Sequence, residues 1–256
     1  MSVLLLRFGG PLQSWGTHSP WNERDTNTYP TRSGIIGIIA AAQHRSRGED
    51  LTRYRPLHLD VRVDRPGQQL VDFHTVGGGR PANQTVPISS GGYRPQGKGT
   101  VVSNRHYLAD AVFTVALGSR DPALLDEIEV ALRRPHWAGY LGRRSCPPDG
   151  PMLLARVDNG TEWLETLLPL ARAKPREGNE VDVDFISETA PFGHNNHSEE
   201  VPDDPQTFHA IDRAYRTRTV HRYRRALPAT LCAGYGGAYL DALTTALRSP
   251  DDQLHP

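Results

Sequence analysis

The sequence predicts an α+β fold, and three observations carry that prediction. Short apolar strands alternate with two helix-forming segments in the order strand, helix, strand, strand, helix, strand. A glycine- and proline-rich excursion, Gly77 to Thr100, interrupts that order at its centre. After Val157 the pattern loses regularity and the charges segregate, acidic from Glu177 to Asp204 and arginine-rich from Arg213 to Arg225. With 256 residues the chain can form one large domain or two small ones with a real core.

Val3 to Phe8 reads as a buried strand, stopped by Gly9-Gly10-Pro11. Two glycines after a first strand suggest a nucleotide loop. The Gly-x-Gly-x-x-Gly spacing is absent, however, and the next helix starts far too late, which excludes a dinucleotide-binding fold. That helix lies within Tyr29 to Gln43 and organises the core. Pro30 biases Tyr29 towards extended backbone, Ser33 is the expected cap, and Ile35, Ile36, Ile38, Ile39 and Ala42 cover nearly every side. Such a helix is buried rather than amphipathic. Gly34 and Gly37 would let it approach another element closely.

Leu57 to Val63 alternates as a half-buried strand does, and Arg65-Pro66-Gly67 turns it into a further strand at Leu70 to Val76. The excursion that follows offers little to pack, and so long an insertion in a compact domain is usually functional or mobile. Strands resume at Val101 to Leu108 and Ala111 to Leu117. Asp121-Pro122 opens the second helix, with Leu124, Leu125, Ile128 and Leu132 on one stripe, and Met152 to Val157 closes the series. This is the ferredoxin-like (RRM-like) βαββαβ plan over residues 1–157, with a large insertion at the central hairpin. Residues 158–256 form a smaller, β-rich C-terminal part. Within it a helix is expected at Thr161 to Ala173, a strand at Val181 to Ile186 and another through the arginine cluster. That cluster and the acidic stretch before it are expected to pair with each other.

Formal net charge is zero, so bulk charge neither supports nor excludes a nucleic-acid partner. Lys98 and Lys174 are the only lysines. Guanidinium forks suit phosphates and stack on bases, although a coding bias yields the same composition. Cys146 and Cys232 are too few for a disulfide framework or a four-cysteine zinc site. The apolar run at Val3 to Leu6 is too short for a signal or membrane segment, so no membrane is expected and the cytoplasm is the expected compartment. His194, His197 and His209 lie near Glu199, Glu200, Asp203 and Asp204, but His-x-x-His alone is weak and the stretch reads as a polar loop. No metal and no cofactor is expected.

Two places can hold an anion. At the mouth of the first helix, Thr31, Arg32, Ser33 and Gly34 combine free backbone N–H groups with an arginine, as a phosphate would require; an ordinary capped core helix is the alternative. Arg143, Arg144 and Ser145 sit in a loop stiffened by Pro147 and Pro148, which reads as a phosphate clamp or as a surface loop with incidental charge. In this topology both loops reach one side of the sheet, so Arg32, Arg143 and Arg144 are expected to share a phosphate site. Trp15, Tyr107 and Tyr140 offer stacking faces to unpaired bases, or are core aromatics. Lys98, His106 and Tyr107 give the catalytic alternative, a metal-independent nuclease with histidine as base and lysine steadying the phosphorane.

Several stretches together resemble a known family. Leu5-Leu6-Arg7-Phe8-Gly9-Gly10-Pro11-Leu12-Gln13-Ser14-Trp15-Gly16, Tyr29-Pro30-Thr31-Arg32-Ser33-Gly34 and Tyr140-Leu141-Gly142-Arg143-Arg144-Ser145-Cys146-Pro147 are similar to the CasD subunits of type I-E Cascade. Asp72 to Val76 and Phe113 to Leu117 fit the same pattern in the same order. The resemblance covers about residues 1–157. It implies a CRISPR-associated RAMP protein with a ferredoxin-like core and a thumb at about 77–104, which binds the 5′ handle of the CRISPR RNA without cutting it. It implies a Cascade backbone subunit and the large subunit as neighbours, with target DNA met only through the complex. The residues it points to for RNA are Gln13, Trp15, Thr31, Arg32, Ser33 and Gly34, then Arg105, Tyr107, Tyr140, Arg143, Arg144 and Ser145. Relatives of type I-C cut precursor RNA, which keeps an endoribonuclease acting on CRISPR repeat RNA as the alternative.

Overall fold

The structure is a computed structural model and describes residues 2–17, 22–88, 90–191, 196–209 and 212–248. In chain order the elements are β1 (Val3–Gly9), β2 (Leu12–Gln13), β3 (Glu23–Arg24), α1 (Arg32–Ala42), β4 (Leu57–Arg65), β5 (Gln68–Val76), β6 (Val101–Ala109) and β7 (Val112–Ser119). They continue with α2 (Pro122–Arg133), β8 (Leu153–Val157), the single turn α3 (Gly160–Glu162), β9 (Glu180–Ser187), β10 (Asn196–Thr207), β11 (Ala214–Pro228) and α4 (Gly236–Leu247). The main sheet runs β10-β11-β9-β4-β7-β1-β8, antiparallel throughout.

Strand alternation sorts the side chains onto two faces. Leu4, Leu6 and Phe8 of β1, Leu59, Val61 and Val63 of β4, and Phe113, Val115 and Leu117 of β7 pack against Ile35, Ile36 and Ile39 of α1 and Leu124, Leu125 and Ile128 of α2. Leu5, Val112 and Ala116 point the other way and are covered by Leu164, Leu168, Leu170, Tyr239 and Leu243. The expected boundary at 157 is therefore not a break in the sheet: β9 pairs β4, and the C-terminal elements cover the second face of the strands that precede them.

The helix expected at Thr161 to Ala173 reaches only α3 and a wide turn at Trp163–Leu167. Pro169 cannot continue a helical ladder. The fully buried Arg62 pairs with Asp64 at 2.5 Å, and its guanidinium donates to the carbonyls of Leu164, Leu168 and Pro169. Residues 196–207, expected as a polar loop, form β10; burial alternates from Val201 to Pro205, although the register with β11 shifts twice. Its partner supplies the charge balance: Arg216 pairs with Asp204 and Arg218 with Asp203, as the segregated charges predict. Helix α4 was not expected. His194 and the tail beyond 248 lie outside the described residues.

A second sheet stands on the first. β5 and β6 pair along their whole length, Gln68 with Ala109 through Val76 with Val101, and β2 and β3 flank the far edge of β6. The insertion is thus a long hairpin with residues 77–100 at its tip. The strand expected from Val101 is its β6 arm, so residues 101–104 of the thumb that the resemblance implies at about 77–104 are strand.

Candidate nucleic-acid interface

The site is built on two loops that touch backbone to backbone. Ser14 N–H donates to the Leu141 carbonyl at 3.0 Å, and Ser14 Oγ to the His106 carbonyl at 3.2 Å. A Cβ at Gly142, whose φ is +86°, would lie 1.6 Å from the Ser14 carbonyl oxygen, and one at Gly10 would lie 2.8 Å from that of Pro147. Only glycine fits at these crossings. Beneath them Gln13 donates to the Phe8 and Ala111 carbonyls and accepts from the Trp15 indole at 3.0 Å. Gln13 and Trp15 are buried, and a Cβ at Gly34 would meet the Trp15 ring at 2.7 Å. Gln13 and Trp15 hold the loops together and offer no face to a base. Gly37, by contrast, has only the Phe208 ring near it, at 3.9 Å.

A basic edge runs beside these loops. β3 pairs β6 in parallel with Arg24 opposite Arg105, so both project to the face that also carries Tyr107. Arg143 reaches in from the 140–147 loop, its guanidinium 4.5 Å from the Tyr107 ring centroid, and donates to the Arg24 carbonyl at 2.8 Å. Tyr107 is buried under that arginine and presents no open face. Arg144 and Ser145 are exposed, and Tyr140 is half-buried. Among the described residues Arg24, Arg105, Arg143 and Arg144 form no ion pair. Arg24 escaped the sequence reading, because only its pairing with β6 reveals its position; a lone arginine in a polar loop carries no signal.

The helix mouth holds an anion, but the protein supplies it. Thr31, not Ser33, caps α1, accepting from Gly34 N–H at 3.3 Å. The Asp203 carboxylate accepts from Arg32 N–H at 2.7 Å. Arg32 is 4% exposed; its side chain pairs with Glu188 at 2.8 Å and Asp204 at 3.0 Å and donates to the Leu57 and Tyr54 carbonyls. Glu188 also binds Arg218 and His58. Burial works against the Glu188 charge, yet His58, Arg32 and Arg218 hold its carboxyl below the usual range. Asp60 and Glu188 raise His58 to about 9. The expected phosphate site joining Arg32 to Arg143 and Arg144 is therefore not formed: Arg32 and Thr31 are enclosed by internal partners, and Ser33 and Gly34 lie half-buried beside them.

The catalytic set does not converge. His106 and Tyr107 are successive strand residues on opposite faces; His106 Nε2 lies 3.1 Å from Glu23, and Lys98 lies in the hairpin tip. The described histidines and carboxylates form no group of three or more suited to a metal ion. No described helix is long and apolar enough to cross a membrane.

A family model described as CRISPR-associated protein (Cas_Cas5) matches residues 3–221. CRISPR system Cascade subunit CasD of Escherichia coli (strain K12) is 33% identical over 167 residues, which span 60% of this chain and 70% of that protein. Among solved structures, a chain of a CRISPR RNA-guided surveillance complex is 45% identical with a TM-score of 0.87, covering 96% of this chain and 100% of that one. A crystal structure of a Cas protein is 30% identical with a TM-score of 0.60, covering 91% and 98%. The match reaches well past residue 157, through the strands that extend the sheet, and the chain belongs to the CRISPR-associated Cas5 family, the family of the Cascade subunit CasD.

Proposed function

We propose that this chain is a non-catalytic RNA-binding subunit of a type I-E Cascade complex that holds the 5′ handle of the CRISPR RNA. The observation that carries the reading is the edge formed by Arg24, Arg105, Arg143 and Arg144, whose charges no described carboxylate neutralises, whereas Arg216, Arg218, Arg222 and Arg224 of β11 are spent on Asp184, Asp203 and Asp204, and Arg225 on Glu165. Unpaired guanidinium groups beside a loop are what a single strand read through its backbone requires. The order β8-β1-β7-β4, with α1 and α2 on one face, supports a ferredoxin-like core. The hairpin supports a thumb: its tip carries Arg80, Arg94 and Lys98 and no acidic residue. In this reading the backbone and large subunits are the neighbours, target DNA is met only through the complex, and the compartment is the cytoplasm.

Affinity for handle RNA across a salt series tests the site. Arg24→Ala, Arg105→Ala and Arg144→Ala should each weaken binding and flatten its salt dependence by roughly 0.7 log units per log unit of salt. An unchanged slope in the triple variant would remove this edge as the RNA site. Repeat RNA incubated without metal should stay intact; site-specific cleavage abolished by His106→Ala would favour the nuclease instead.

A further inference from the structure

The stretch Asp72-Phe73-His74-Thr75-Val76 lies in β5, beside the basic edge but without a part in it so far. β5 pairs β6 with Leu70 opposite Tyr107, Asp72 opposite Arg105 and His74 opposite Ser103. Residues directly opposite share a face, so Asp72 and His74 stand on the face of Arg24, Arg105 and Tyr107. Val71, Phe73 and Thr75 stand on the other face, with Glu23, Asn104 and His106. The four strands of this second sheet hold two acidic residues, Glu23 and Asp72. Asn104 and His106 engage Glu23 on the far face. Asp72 is therefore the sheet's one carboxylate on the side of the arginines.

Opposite charges that face each other across a ladder normally join. Here they do not. The Arg105 Nε donates to the Ser103 hydroxyl at 3.4 Å, and an Asp72 oxygen lies 3.5 Å from the His74 Nδ1. The Asp72 side chain is 45% exposed. A carboxylate has about four lone-pair sites, and His74 takes at most one, so both oxygens keep acceptors to spare. A negative charge on a phosphate-binding face repels every strand, whatever its sequence. Only a hydrogen-bond donor offsets that repulsion, and a phosphate group supplies none. The donors of a single strand are the N–H groups on its base edges and the ribose hydroxyls.

We infer that Asp72 is the base-reading residue of this edge and selects a guanine, splayed from the strand, through its Watson–Crick face. The inference rests on the RNA reading above. Guanine alone of the four bases places two N–H donors side by side, on N1 and N2, to match the two oxygens of one carboxylate. Adenine and cytosine set an amino donor beside a ring acceptor, and uracil sets one N–H between two carbonyls. Those acceptors face the carboxylate unfavourably. The arginines hold phosphates without regard to sequence, and Asp72 adds the choice, because a wrong base leaves its charge uncompensated.

The test measures binding of the full chain to octauridylate and to the same RNA carrying one guanosine, adenosine or cytidine at each position in turn. Guanosine at one position should bind roughly tenfold tighter than uridine there. Asp72→Asn should cut that preference to below about threefold and, by removing a repulsive charge, should tighten octauridylate. Asp72→Glu keeps the charge and displaces the carboxylate, so it should lose the preference while octauridylate binds as in the wild type. Equal gains for every sequence in Asp72→Asn, with any guanosine preference intact, would overturn the inference and leave Asp72 a plain neighbour of Arg105. A preference for another base would overturn it too. So would a preference for RNA over the same sequence in DNA that Asp72→Asn removes without any base preference, since the carboxylate would then hold a ribose hydroxyl. If octauridylate binding does not depend on Arg24, Arg105 and Arg144, the RNA reading itself fails. If it depends on them and no position prefers guanosine, this inference fails alone.

Discussion

Arg32 shows how one residue can carry the right local logic and the wrong partner. An arginine and free N–H groups at a helix mouth call for an anion, and the sequence reading supplies a phosphate. The fold supplies Asp203, 171 residues away, because β10 crosses the mouth of α1. Proximity of that kind lives in the sheet order and not in local spacing. Removing one partner from such an enclosed cluster strands a buried charge, so Arg32→Met or Asp203→Ala should lose about 3–5 kcal/mol in denaturant unfolding. A variant as stable as the wild type, with weakened RNA binding instead, would restore the phosphate role. His58 reports on the same cluster through pH. Its folded pKa of about 9 lies above the usual histidine value of 6.5, so its contribution to stability is complete below about pH 6.5 and is lost as pH rises through 9. The His58→Gln variant should therefore lack that part of the decline between pH 6.5 and 9. Parallel stability profiles for the two proteins would count against it.

At the scale of elements, what the sequence displays well is what repeats locally. Apolar alternation marks β1, β4 and β7, Asp121-Pro122 marks α2, and the isoleucines mark α1. It displays poorly whatever a distant partner decides. β10 is a strand because arginines of β11 balance its carboxylates, and Thr161 to Ala173 fails as a helix because Arg62 takes its carbonyls. The candidate site divides the same way: Arg143 and Arg144 were legible from their loop, whereas Arg24 needed β6 beside it. Gly142 is the hinge of that arrangement. Gly142→Ala puts a Cβ into the Ser14 carbonyl at positive φ and should destabilise the fold by more than about 1 kcal/mol while loosening the loop beside Arg143. Wild-type melting behaviour in that variant would mean that the loops are not locked. The hairpin tip is dispensable by contrast. Val76 and Val101 are register partners, so deleting Gly78 to Gly99 leaves Gly77-Thr100 as a two-residue turn between them. The melting temperature should stay unchanged while assembly with other Cascade subunits weakens, and normal assembly would deprive the hairpin of its proposed role.

For the whole molecule, the question is whether residues 1–157 can stand alone, as a two-part reading of the chain implies. The sheet argues that they cannot. Without β9 the edge of β4 loses its partner at Asp60, Val61 and Arg62, and an unpaired strand edge invites association. The second face loses its cover as well, which exposes Leu5, Val112 and Ala116 together. The heaviest cost falls on Arg62, whose guanidinium loses the carbonyls of Leu164, Leu168 and Pro169 and keeps only Asp64. A truncation ending at Val157 should therefore be insoluble or molten, whereas the intact chain unfolds in one cooperative transition seen alike by far- and near-ultraviolet circular dichroism. A truncated chain that is monomeric, with native near-ultraviolet signals, would make the C-terminal part an independent domain; two separate transitions in the intact chain would do the same.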